Sequence, residues 1–188
     1  MNKHFLRSVH FKPWIGQNYE VPNYFGVRVL VLGESHYGVE SPRSYDTTRV
    51  VVRNNGLREG STTFTKLTKI LANQTEDMPS AKTRSDVWQS LVFYNFIQEF
   101  VAPLGKPRVP PTKEMRKTAW EPFTEVLERC RPELLVLLGG IVKAEVLKAS
   151  EQALLPLPKV CTLRHPAAAL RYEEWCPVFQ QHLQAIKE

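Results

Sequence analysis

Mostly apolar runs occupy 27–32, with Arg28 near its start, 91–95, ending in Asn95, 134–138, and 160–163, with Thr162 inside it, and polar or glycine residues stop each of them. Runs this short, without in–out alternation, predict strands buried on both faces. Between them the apolar period changes. Phe64, Leu67, Ile70 and Leu71 recur at three- and four-residue steps, so 62–73 is expected to be an amphipathic helix with Ser61 or Thr62 at its cap. Met115, Ala119, Phe123, Val126 and Leu127 predict a helix over 112–129, capped by Thr112 and kinked or broken by Pro122. Residues 141–149 and 173–187 predict two more helices, and 167–171 should begin a short one. The segments 38–61 and 74–84 have no clean period and are expected to be loops, the first long, with a short strand at Val50-Val51-Val52 as its regular piece. Residues 1–26, rich in aromatics, are expected to form an arm packed on the domain, and aromatics interleaved with basic residues can also stack on bases. Strands alternating with helices predict one α/β domain over 1–188, a three-layer αβα arrangement around a central, mostly parallel four-stranded sheet.

Composition adds little to this except through charge. Lysine and arginine number 25 against 19 acidic residues, a net charge of +6. That excess fits a polyanionic partner, and equally a basic surface with scattered solvated charges. Only Asp46, Asp77 and Asp86 are aspartates, and they form no cluster suited to Mg²⁺. Cys130, Cys161 and Cys176 are widely spaced, without the CxxC pattern of zinc or iron–sulfur ligation. No metal or other cofactor is expected. Isolated thiols fit a reducing, cytoplasmic setting. No apolar run is long enough to span a bilayer, so neither a membrane anchor nor a signal peptide is expected.

The chemistry collects where the runs end. The first run stops in Gly33-Glu34-Ser35-His36-Tyr37-Gly38, the second in Asn95, the third in Gly139-Gly140 and the fourth in Arg164-His165-Pro166. In a parallel sheet these carboxyl ends share one edge, where open α/β sheets bind ligands. A carboxylate, a hydroxyl, two imidazoles, a phenol and an amide then converge on one crevice. Such groups suit a flat heterocycle and negative charge developing on it.

These segments, in this order and spacing, resemble the signature motifs of the uracil-DNA glycosylase superfamily: a strand into Gly-Glu, a strand ending in Asn, the Pro107-Arg108-Val109-Pro110 connection, a long helix, and a strand into His165-Pro166-Ala167. The likeness spans about 28–171. It implies that fold and excision of uracil or a related damaged base from DNA by hydrolysis of the N-glycosidic bond, by a cytoplasmic monomer. It implies roles too. His165 stabilises the anionic leaving base, with Glu34 and Ser35 beside it in the catalytic set. Asn95 reads the base edge, Tyr37 walls the pocket with His36 next to it, and Phe64 stacks on the base. Arg164, Arg171 and Lys143 contact flanking phosphates. The chain departs from the superfamily's most active branch, which has an Asp at the place of Ser35 and Pro-Tyr-His at the place of His36-Tyr37-Gly38. The iron–sulfur cysteines of the thermostable branch are absent.

Other readings of the same residues stand beside this one. The protein can bind DNA or bases without cutting. Gly33-Glu34-Ser35 also resembles the Gly-Asp-Ser start of SGNH-type esterases, with Ser35 as nucleophile and His165 or His36 as base, although that family's Asp-x-x-His element is missing. Glu34 can instead form an ion pair with Arg28 or Arg164, and Arg43, Arg49, Arg53 and Arg58 can be a solvated loop face.

Overall fold

A computed structural model describes residues 8–106, 108–151 and 157–188. Its centre is a five-stranded mixed sheet. The strands are β1 (Trp14–Ile15), β2 (Val29–Gly33), β3 (Leu91–Asn95), β4 (Leu134–Leu138) and β5 (Lys159–Leu163), in the order β1-β3-β2-β4-β5. The four predicted runs form the parallel part, with Val31 opposite both Phe93 and Val136, and Val136 opposite Cys161. The fifth strand was not expected. Trp14 and Ile15 pair antiparallel with Phe93 and Val92, and a two-residue strand among aromatics and prolines leaves no periodic signal.

Helices cover both faces. The α-helices are α1 (Thr47–Asn55), α2 (Thr62–Leu71), α3 (Ala81–Trp88), α4 (Lys113–Thr118), α5 (Trp120–Cys130), α6 (Gly140–Glu151) and α7 (Tyr172–Lys187). Alternate strand residues divide between two cores. Val29, Val31, Leu91, Phe93, Val136 and Leu163 pack with α1, α2, α3 and α7, whereas Leu30, Leu32, Val92, Leu135 and Leu137 pack with α5 and α6. The arm joins both: Phe25 enters the first core, and Val9 and Tyr19 enter the second.

Two expected loops contain helices. The segment 38–61 holds α1, and Val50-Val51-Val52 is helical rather than a strand. Only Thr48 and Val52 of α1 are buried, one turn apart, and Val50 is exposed, so a β-branched triplet masked a helix that its burial obeys. Arg49 and Arg53 both reach Asp46, and Arg49 Nε also donates to Pro13 O at 3.2 Å. The polar stretch 74–84 runs into α3, whose cap is Ser80 Oγ accepting the Thr83 N–H at 3.0 Å. Its buried positions are Arg84, Val87 and Trp88. An arginine at the first of them hid the apolar spacing. Arg84 donates to Thr65 Oγ1 across to α2 at 2.8 Å.

The long helix expected over 112–129 is broken at Ala119 into α4 and α5. Pro122 thereby falls in the first turn of α5, where its missing N–H costs no hydrogen bond. Thr112 caps α4 by accepting the Met115 N–H at 3.2 Å. The alanines 167–169 form a turn, not a helix. The Ala167 and Ala168 N–H groups are both taken by His165, one by its ring and one by its carbonyl.

Candidate functional site

The parallel strands β3-β2-β4-β5 reverse direction of progress across the sheet at β2, and the cavity of about 690 Å³ opens at their carboxyl ends. That is where such sheets leave room between diverging loops. Glu34, Ser35, His36, Tyr37, Phe64, Asn95 and His165 all line it. Arg164, Arg171 and Lys143 do not. They are exposed, at the end of β5, before α7 and in the first turn of α6.

Two glycines let the wall close. At Gly33 an added Cβ would overlap Asn95 Oδ1, so the end of β2 accepts Asn95 only because it carries no side chain. The amide is 5% exposed, and its Nδ2 donates to Ser35 O at 2.9 Å. One N–H and Oδ1 remain for a ligand. Gly139 has φ of 89°, a left-handed conformation, and a Cβ there would press on His165 Cβ at 3.3 Å.

His165 follows β5. Its Nδ1 accepts the Ala167 N–H at 3.1 Å. An accepting Nδ1 places the proton of the neutral ring on Nε2, leaving that nitrogen as the donor of a ring that lines the cavity. Burial lowers its pKa, the Glu34 carboxylate pulls it back up, and the Arg108 guanidinium lowers it further. At neutral pH the ring is therefore an uncharged donor.

Glu34 pairs with neither Arg28 nor Arg164. Arg28 turns to Glu133, at 3.5 Å, because both belong to the opposite end of the sheet. The partner of Glu34 is Arg108, whose Nη2 lies 3.2 Å from Oε2. Arg108 sits on the proline-rich connection between β3 and α4. A second contact holds that connection against the cavity: Tyr37 Oη accepts the Val109 N–H at 2.9 Å. On the other side α2 presents Ser61, Thr63 and Phe64. Ser61 is the N-cap residue of α2, but its hydroxyl makes no capping bond. Phe64 is tilted against Trp88 and Phe93, with ring centroids 5.2 and 5.7 Å away. Arg108, Ser61, Thr63 and Phe93 are site residues that sequence reasoning did not assign. The Pro107-Arg108-Val109-Pro110 connection was visible in the sequence, but the reach of Arg108 back to Glu34 was not.

His36 reaches the cavity wall but is 5% exposed, with Nε2 2.8 Å from Thr48 Oγ1 and its ring edge-on to Phe11. It ties the loop after β2 to α1 and to the arm. Burial pushes its pKa down to about 4 from 6.5. The unfolded chain therefore binds this proton more readily than the folded one. The associated stability is complete above about pH 6.5 and is lost as pH falls toward about 4. Urea unfolding of the wild type is expected to lose about 2 kcal/mol more than His36→Gln between pH 6.5 and pH 5. Parallel pH dependence in the two proteins would remove His36 as the acid-sensitive group.

Among the described residues no group of three or more His, Cys, Asp or Glu could hold a metal ion, and no helix is long and apolar enough to cross a membrane. The three cysteines are buried free thiols. No known protein family and no curated protein matches the sequence.

Proposed function

We propose that this protein is a DNA N-glycosylase of the uracil-DNA glycosylase type, excising uracil or a related deaminated base. The observation that carries the reading is the meeting of Glu34, Asn95 and His165, from three separate strand ends, in one cavity large enough for a single nucleotide. The order of the parallel strands and the two helical layers are compatible with that fold.

The site residues supply each part of the chemistry. A target base leaves the stack and enters the cavity. Phe64 offers it a face, and the free Nδ2–H and Oδ1 of Asn95 match the alternating acceptors and donor on the edge of uracil. As the bond between base nitrogen and anomeric carbon breaks, its electron pair stays on the base. The Nε2–H of His165 stabilises the charge gathering on a base oxygen. Water adds its oxygen to the anomeric carbon and gives one proton to the Glu34 carboxylate, and the departing base anion takes a proton from solvent. Tyr37, held by Val109, fills the space beside the base. The esterase reading finds less support. In the described hydrogen bonds neither imidazole reaches Ser35: His36 is held by Thr48 and His165 by Ala167.

The test is a panel of single- and double-stranded oligonucleotides carrying uracil, hypoxanthine, xanthine or 5-hydroxymethyluracil, with strand scission read after alkali. Alkali-labile sites are expected at one or more of these bases, and most readily in single strands. Retarded migration of the oligonucleotides without scission at any of them would leave a base-binding protein in place of an enzyme.

A further inference from the structure

Glu34 and Arg108 are unequal partners. The carboxylate side chain is 12% exposed, while the guanidinium side chain is 72% exposed at the cavity mouth. The pair is a single contact, from Nη2 to Oε2, and not a two-pronged clamp. The other guanidinium nitrogens of Arg108 have no protein partner among the described residues. Its strap is tied to the wall by Tyr37 and Val109, which fixes the backbone without fixing the arginine side chain. An exposed monodentate pair of this kind holds weakly. Arginine binds phosphate through two parallel N–H groups, a geometry it does not use on Glu34.

From this we infer that Arg108 is a phosphate contact held in reserve by Glu34, changing partner from the carboxylate to a backbone phosphate when a nucleotide strand reaches the cavity mouth. The inference rests on the nucleic-acid reading of the site. The exchange keeps the half-buried carboxylate neutralised while the cavity is empty, and uncovers it when substrate arrives. It places the strap 108–110 among the elements that contact the strand, beside the loop of Tyr37.

The two residues should then be coupled in binding. The probe is a single-stranded oligonucleotide with a fluorinated, non-hydrolysable deoxyuridine, titrated over a range of salt against wild type, Glu34→Gln, Arg108→Gln and the double variant. Arg108→Gln should weaken binding and reduce the slope of log affinity on log salt by about 0.7, the contribution of one phosphate on a single strand. Glu34→Gln should tighten binding severalfold, and only where Arg108 is present. Equal tightening in the Arg108→Gln background would be a plain loss of negative charge and would overturn the inference. So would an unchanged salt slope in folded Arg108→Gln, or no binding by the wild type. Scission by the wild type without this coupling removes the exchange and leaves the excision reading in place. Coupling without scission at any base does the reverse.

Discussion

Replacing His165 with asparagine is expected to slow single-turnover excision by about 10²–10³-fold while leaving the melting temperature unchanged. Asparagine carries an oxygen close to the position of Nδ1, so it can still accept the Ala167 N–H that shapes the turn after β5. It ends before the position of Nε2, so the donor that the proposed excision assigns to the leaving base is lost. The variant thus separates the two faces of one ring, where His165→Ala would remove both. His165→Gln extends an amide N–H toward the Nε2 position and is expected to recover part of the rate. Because burial and Arg108 keep the imidazole uncharged, the lost term is a hydrogen bond from a neutral donor and not a full positive charge. A rate in His165→Asn equal to that of wild type would end the donor role. A fall in rate accompanied by a fall in melting temperature would place His165 in the turn and not in the chemistry.

The parts of this site that could be read from sequence are those where one residue type has one plausible place. Strand ends are of that kind. An apolar run that stops in Gly-Glu, in Asn or in His-Pro puts those groups at the carboxyl edge of a parallel sheet, whatever the loops do afterwards. Glu34, Asn95 and His165 needed nothing more to meet. Phe64 was legible for another reason: it begins an apolar series at helical spacing, and the start of α2 lies on the cavity.

What escaped was written in long-range contacts. Val50-Val51-Val52 carries a strand's local preference, and α1 forms because Thr48 and Val52 are buried one turn apart, with Thr48 meeting His36. Arg84 occupies a core position of α3 through its bond to Thr65, so a charged letter stood where the apolar period needed a hydrophobic one. The alanines after Pro166 favour a helix, but His165 captures the N–H groups that would begin it. Each is a tertiary partner overruling a local signal. His36 shows the same limit in a site residue. Its position in the first motif drew it toward the base, and its ring is committed to Thr48 and Phe11. Arg108 is the converse: seventy-four positions from Glu34, it has no local feature that announces an ion pair.

The second large effect is expected at a residue with no side chain. Gly33→Ala should destabilise the protein by about 2–5 kcal/mol and abolish excision. Gly33 ends β2 in register with Asn95 at the end of β3. Its φ is not in the left-handed region, so the demand for glycine is one of space and not of backbone conformation. An alanine Cβ would overlap Asn95 Oδ1 and come within 3.3 Å of Asn95 Cγ and Phe93 Cζ. Neither neighbour can yield cheaply. Phe93 is packed between Phe64 and Trp88, and moving Asn95 strands the Ser35 carbonyl that its Nδ2 now satisfies. Overpacking of this kind costs about 1–3 kcal/mol, and the partly buried Ser35 carbonyl left without its partner adds about 1–2 kcal/mol. The double variant Gly33→Ala/Asn95→Ala decides between this account and a general intolerance of β2. Removing the amide relieves the overlap, so the double variant should be more stable than Gly33→Ala alone, by urea unfolding, while remaining inactive. If both variants are equally unstable, the strain lies in the strand itself. If Gly33→Ala is as stable as wild type and still excises, Asn95 is not held where its amide could read a base.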